Sequence, residues 1–209
     1  MGEVVGIVLA GGLARRMGGG DKALVPLGGR PLLAHVVERL RPQCATLVLN
    51  ANGDPARFAS FGLAIVADDV PGFAGPLAGV LAGLDWVSRE TPHLAHAVSV
   101  AADTPFPPPD LVSRLDAARR GAEADIAVAA SGGRTHPVIA LWPVGIRAAL
   151  RHALVEGGER KIDRFTAAYK VAVVDWPVSP FDPFFNANSS RDLDEGERIA
   201  RAVQAGAQT

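Results

Sequence analysis

Arg15, Arg16 and Lys22 are three cationic side chains in a short stretch with five glycines, which follows directly on the apolar run Val4 to Ala10; Asp21 is its one counter-charge. Glycine lets backbone N–H groups come close to a ligand and form an anion-binding nest, and the cations neutralise the phosphates that enter it. The chemistry this suits is the holding of a triphosphate. Neither common glycine fingerprint fits. The Walker loop ends in Gly-Lys-Ser/Thr where Asp21-Lys22-Ala23 stands, and the Gly-x-Gly-x-x-Gly spacing of dinucleotide binders fails. A plain surface loop has a similar composition, and it is the placement after a strand that favours the phosphate reading.

The elements that must hold this loop can be read from periodicity. Val4 to Ala10 has the continuous apolar, β-branched character of a strand buried on both faces. Leu32, Leu33, Val36, Val37 and Leu40 share one helical face. Strands are predicted at Thr46 to Asn50, Ala64 to Ala67 and Ala97 to Ala101, with helical patterns at Pro55 to Ser60 and Leu77 to Val87 between them. This alternation predicts an α/β fold, doubly wound, with a mostly parallel sheet covered on both faces. A helix begun by Pro109 and Asp110 follows, then two β-rich runs, Ile126 to Ala130 and Val138 to Trp142, around a Ser-Gly-Gly-Arg turn. They predict a hairpin or antiparallel edge, the antiparallel portion of the second half. A helix near Val144 to Val155, a strand at Val171 to Val174 and a helix around Asp192 to Val203, N-capped by Ser189, complete the pattern. Without a repeat or Pro/Ser-rich linker, residues 1–209 read as a single domain, with a nucleotide half of about 1–107 and an acceptor half of about 108–209.

The informative polar residues fall at the carboxyl ends of predicted strands: Asn50 on the second, Asp68 on the third and Asp103 on the fourth. Ligands of an open parallel sheet bind at that edge, where the strand order reverses. A 3-2-1-4 order would set the first strand beside the fourth, so that the basic loop faces Asp103. A carboxylate opposite a triphosphate repels it unless a divalent cation lies between, which makes Asp103 a candidate Mg2+ ligand. Its competing role is to cap the turn at Thr104-Pro105. Asp68 and Asp69 read either as a solvated acidic pair or, for Asp68, as an acceptor of ribose hydroxyls. Gly75-Pro76-Leu77-Ala78-Gly79 reads as an ordinary helix start with Pro near its first position, or as one whose free N–H groups also serve the same crevice.

Composition narrows the function classes. The formal net charge is -1, from 21 basic and 22 acidic residues, so no overall field draws the chain to nucleic acid or anionic lipid. The apolar stretch Val4 to Leu13 is too short to span a bilayer, and the single Cys44 cannot form an internal disulfide. Cytoplasmic placement is the expectation. His35, His93, His96 and His152 have no zinc-ligand spacing.

With these residues in view, the sequence resembles the molybdenum cofactor guanylyltransferases. The resemblance rests on LAGGLARRMGGGDKAL, the strand ending at Asn50, Asp68, PGFAGPLAG through Gly79, Asp103-Thr-Pro, His136-Pro137, Gly158-Glu159-Arg160-Lys161 and Phe185-Asn186-Ala187-Asn188, in order along nearly the whole chain. It implies a fold of the nucleotide-diphospho-sugar transferase type. It also implies transfer of GMP from GTP to a phosphate of molybdenum-molybdopterin, with pyrophosphate released. Carried over, Leu9, Ala10, Gly11, Lys22, Asn50, Asp68 and Asp103 contact GTP, with Asp103 also on Mg2+. Gly12, Arg16, Gly19 and Gly79 match the surrounding loops, Arg16 joining Lys22 and Asp103 in charge neutralisation. Asn186 and Asn188 match the acceptor side, and a molybdoenzyme or chaperone partner for cofactor delivery is implied. The Asn-x-Asn segment departs from the pattern in continuing as Ser189-Ser190-Arg191. The rivals are a cytidylyltransferase on the same cofactor, a sugar-1-phosphate nucleotidyltransferase, and a non-catalytic cofactor carrier.

Overall fold

The computed structural model describes residues 3–11, 20–70 and 75–206. The first part of the chain runs β1 (Val4–Leu9), a small hairpin of β2 (Pro26–Leu27) and β3 (Arg30–Pro31), α1 (Leu32–Leu40), β4 (Thr46–Asn50), β5 (Ala64–Val66), α2 (Pro76–Glu90) and β6 (His96–Ala101). Then come α3 (Leu111–Gly121), β7 (Ile126–Ser131), β8 (Arg134–Pro143), α4 (Arg147–Val155), α5 (Ile162–Thr166), β9 (Val171–Trp176) and α6 (Ser190–Gly206).

The central sheet has the order β5-β4-β1-β6-β8-β7-β9. The first four strands are parallel, β8 runs against β6 and β7, and β9 is again parallel to β7. The 3-2-1-4 order expected for the predicted strands is therefore present. The Ser-Gly-Gly-Arg hairpin is present too, but inside the sheet rather than at its edge. Gly132 and Gly133 both have positive φ, as a tight two-residue hairpin turn demands. The edge is β9, whose alternating burial fits a strand with one solvated face, whereas Ile139 to Trp142 of β8 are buried throughout.

Alternation within β1 gives each face its own core. Val5 and Ile7 face Leu77, Leu81 and Leu84 of α2, with Trp142 of β8 and Leu150 of α4 in the same cluster. Val4 and Val8 face Leu33, Val36 and Leu40 of α1 and Leu111 and Leu115 of α3. The five apolar residues predicted for one face of α1 are all buried. Pro55–Phe61 is a 3-10 helix rather than the α-helix its pattern suggested, N-capped by Asp54, whose side chain accepts from the Ala56 N–H. Ser189 accepts from the Asp192 N–H at 3.3 Å at the start of α6, as expected of an N-cap. Among the described residues no helix is long and apolar enough to cross a membrane.

Helix α2 lies close against the ends of β1 and β4 because it has no side chain where they meet. A Cβ on Gly79 would stand 2.3 Å from Asn50 Oδ1 and 2.9 Å from a Leu9 methyl. Glycine there leaves Asn50 and Leu9 undisplaced at the strand ends.

Candidate functional site

The carboxyl ends of β1, β4, β5 and β6 border a crevice of about 620 Å³. Leu9, Ala10 and Gly11 form its centre, Lys22 and Asp103 one end, and Asn50 and Asp68 the other. Strand-end hydrogen bonds fix this frame: the Ala10 N–H donates to Asn50 O, Ala102 to Leu9 O, and Ala51 to Val66 O, at 2.8 to 2.9 Å. Two other concavities lie beside α1 and between α2 and α4; the second touches β5 at Val66 but none of the other strand ends.

At one end, the Lys22 ammonium donates both to Asp103 Oδ2 and to Asn188 Oδ1. The side chains of Lys22 and Asp103 are only 12% and 23% exposed, so little water screens the pair. The segment bearing Asn188 is tied down on either side. The Ala187 N–H donates to Asp103 O, the Thr104 hydroxyl donates to Asn186 Oδ1 at 2.6 Å, and the Asn188 N–H donates to Asp192 at the start of α6. Asp103 Oδ2 thus accepts from Lys22. Among the described residues no N–H of the Thr104-Pro105 turn donates to the Asp103 carboxylate.

At the other end, Asp68 is clamped by two asparagines. Asn50 Nδ2 donates to Asp68 Oδ1 at 2.9 Å and Asn52 Nδ2 to Oδ2 at 2.8 Å, while the Asp68 N–H returns a bond to Asn52 Oδ1. Asp68 and Asp69 are therefore not an equivalent acidic pair: Asp69 turns away to Arg151 of α4, which also holds Asp85. Arg57 stands between the two ends of the crevice, paired with Asp21.

The structure brings Leu9, Ala10, Gly11, Lys22, Asn50, Asp68 and Asp103 to one crevice, with Gly79 beneath Asn50. Asn186 and Asn188 reach the same centre from the second half of the chain. Gly12, Arg16 and Gly19 lie outside the described residues, as does Arg15. Sequence reasoning missed Asn52 and Arg57 at this site. The signal for Asn52 was its place two residues beyond Asn50, in the loop that leaves β4 at the ligand edge. Arg57 gave none, since a 3-10 turn has no amphipathic period to orient its side chains.

A polar cluster ties down the segment that leads to Asn186 and Asn188. The Ser131 hydroxyl donates to Asp182 Oδ1 at 2.8 Å and lies 2.7 Å from His136 Nε2, while Asp182 also accepts from the Phe184 N–H. With its one proton given to Asp182, Ser131 accepts from His136, which puts the imidazole proton on Nε2. Burial holds the His136 imidazole below its ordinary range, against the raising effect of Asp182. It is neutral at pH 7 and anchors the strap that carries Asn186 and Asn188. Far from the crevice, burial pushes the Cys44 thiol up to about 12.

The family model for the MobA-like NTP transferase domain matches residues 6–172. The chain is similar to the molybdenum cofactor guanylyltransferase of Bradyrhizobium sp. (strain ORS 278), 66% identical over 94% of this chain and 93% of that protein. The enzyme of the same name from Rhodopseudomonas palustris (strain BisB5) is 63% identical over 93% and 92%. Among solved structures, molybdopterin-guanine dinucleotide biosynthesis protein A from Archaeoglobus fulgidus superposes with a TM-score of 0.72 at 26% identity, covering 95% of this chain and all of that one. Crevice, sheet order and near-full-length likeness agree: the chain belongs to the molybdenum cofactor guanylyltransferase family, nucleotidyltransferases of molybdenum cofactor biosynthesis.

Proposed function

We propose that the protein transfers GMP from GTP to the terminal phosphate of molybdenum-molybdopterin, releasing pyrophosphate, with the centre at Lys22, Asp103 and Asn188. The observation that carries this reading is the convergence of those three side chains at the carboxyl edge, the first two from the nucleotide half and the third from the acceptor half. The acceptor phosphate is already anionic at neutral pH, so its attack on the α-phosphorus needs no general base. Two polyanions repel, and the site must supply alignment and charge neutralisation.

The described crevice is short of positive charge for that task. Its ionisable side chains are the carboxylates of Asp21, Asp68 and Asp103 and the cations Lys22 and Arg57. Arg15 and Arg16 belong to the adjoining loop sequence, and Arg16 completes the set with Lys22 on the phosphates. A divalent cation fits as well, because Asp103 Oδ2 and Asn188 Oδ1 already converge on a positive group, the Lys22 ammonium. Among the described residues there is no cluster of three or more His, Cys, Asp or Glu able to hold a metal by itself. One carboxylate completed by substrate phosphates and water is the usual setting for Mg2+. When bound there, Mg2+ supplies neutralisation of the phosphate oxygens as charge shifts to the leaving pyrophosphate. With such an ion present, Asp103 would hold it and Lys22 would contact the phosphates.

On the nucleoside side, Asn50 and Asn52 fix the Asp68 carboxylate, leaving its outer lone pairs for hydroxyl or N–H donors of the nucleoside. Asn186, its amide oxygen engaged by Thr104, holds the strap, and Asn188 meets the acceptor. The nucleotide half, about 1–107, and the acceptor half, about 108–209, face each other across this line. Delivery of the product to a molybdoenzyme or its chaperone, in the cytoplasm, completes the proposal.

Pyrophosphate release with molybdopterin as acceptor and GTP, CTP or ATP as donor tests the reading. A site whose hydrogen bonds suit guanine leaves them unpaired with another base, so GTP should be preferred by at least about 100-fold in kcat/KM. Equal use of CTP would replace it with the cytidylyl alternative.

A further inference from the structure

We infer that Arg57 is a positioning residue of the nucleotide site: a brace that sets the end of the glycine-rich loop at Asp21 and the nucleoside-side carboxylate of Asp68 at a fixed separation. The inference rests on the proposed reading of this crevice as the GTP site.

All three donor edges of the guanidinium are engaged. Nη1 donates to Asp21 Oδ2 at 2.5 Å, Nη2 to Asn52 O at 2.5 Å, and Nε to Asp54 O at 2.8 Å. The guanidinium lies over the ring of Phe58, 5.1 Å from its centroid, and Phe58 is fully buried, so the fork rests on a fixed platform. Each contact leads to a wall of the crevice. Asp21 is the residue before Lys22, so tethering its carboxylate sets where the Lys22 stem leaves the loop. Asn52 is the residue whose side chain closes the two-bond ring with Asp68. Holding the Asn52 carbonyl therefore holds the clamp on Asp68. One planar fork serves three directions at once, which the point charge of lysine cannot do.

The pair is partly solvated, with side-chain exposures of 33% for Arg57 and 13% for Asp21, and such pairs contribute little to folding. The effect of the brace belongs in ligand binding. Direct contact of Arg57 with the phosphates is the competing role, and the two roles differ in sign at Asp21. If Arg57 braces, removing the Asp21 charge releases Asp21 and the adjoining Lys22 from their anchor and weakens GTP binding. If Arg57 binds phosphate, the same change frees the guanidinium and strengthens it.

The test is calorimetry of Mg·GTP with the unchanged protein, Arg57→Met, Asp21→Asn, the double variant and Arg57→Lys, with a melting curve and steady-state rates for each. Arg57→Met and Asp21→Asn should each weaken GTP by about tenfold, and the double variant should be no weaker than about the worse single one, because both cut the same tie. Arg57→Lys should recover only part of the loss. The melting temperatures should stay within about 4 °C of the parent, and KM for GTP should rise by a larger factor than kcat falls. Normal GTP binding by Arg57→Met, tighter binding by Asp21→Asn, additive losses in the double variant or full recovery by Arg57→Lys would each overturn the brace. Absence of GTP binding in the unchanged protein would instead remove the reading of the crevice itself, and the brace with it.

Discussion

Lys22 contacts both the first half of the chain, at Asp103, and the second, at Asn188. On the proposed reading of the crevice, Lys22→Ala removes a phosphate contact worth roughly 1.5–3 kcal/mol, and GTP affinity should fall with or without Mg2+, as titration in chelator and in excess metal would show. A loss confined to the metal-containing titration would assign Lys22 to the metal instead. Histidine sets a separate pH dependence. His96 and His136 are held below the ordinary imidazole range, first by burial in both cases. The unfolded chain takes up protons near pH 6.5 that the folded chain refuses, so their contribution to stability is intact above that pH and falls as pH drops below it. Melting curves between about pH 7 and 5 should be flatter for the double variant His96→Gln/His136→Gln than for the parent; equal slopes would place the acid sensitivity in the carboxylates. The meeting of Lys22 with Asp103 was legible in the sequence because the loop after the first strand and the end of the fourth share one edge in a 3-2-1-4 order. Their junction with Asn188 was not, since a contact across 166 residues leaves no local trace.

At the scale of elements, α2 carries the clearest consequence. Gly79 and Gly83 lie one turn apart on its inner face, the first against Asn50 and the second against Ile7, whose side-chain carbons would stand 2.6 Å from an added Cβ. An added methyl at either overpacks and costs about 1–3 kcal/mol, but only Gly79→Ala displaces Asn50 and with it the Asp68 clamp. Both variants should melt earlier, and only Gly79→Ala should bind GTP more weakly. Equal GTP affinity in the two would detach Asn50 from the nucleotide. The long strands β1, β4 and β6 were readable within a residue because continuous apolar runs broken by glycine, asparagine or aspartate have few other interpretations. The β2–β3 hairpin was not, since two-residue strands around Gly28 and Gly29 are held by α6 rather than by their own pattern: Leu27 is buried with Ile199 and Ala200, and the Gly28 N–H donates to Glu197. The helical pattern over Pro55 to Ser60 became a 3-10 turn because it buries a single side chain, Phe58, too little apolar face to sustain an α-helix.

For the whole molecule, one reversed strand decides how the second half returns to the site. The β7–β8 hairpin sets β8 against β6, and β9, parallel to β7, then delivers the chain back to the carboxyl edge, where the strap from Asp182 to Asn188 closes on Asp103. The parallel first half was legible from alternating strand and helix patterns. The strap was not, because its course depends on Ser131, His136 and Asp182 meeting only after folding. Binding linked to this closed frame should raise the melting temperature: Mg·GTP at 100 times its Kd adds about 2.7 kcal/mol, on the order of 5–10 °C for a chain of this size, and CTP much less. The most direct test of the transfer centre is the Mg2+ dependence of pyrophosphate release from GTP and molybdopterin by Asp103→Asn and Asp103→Glu. Both should fold as the parent does; Asp103→Asn should lose at least about 100-fold in turnover, and Asp103→Glu should need more Mg2+ for half-maximal rate. A near-normal rate with an unshifted Mg2+ requirement in both variants would contradict the account and leave the site without its metal ligand.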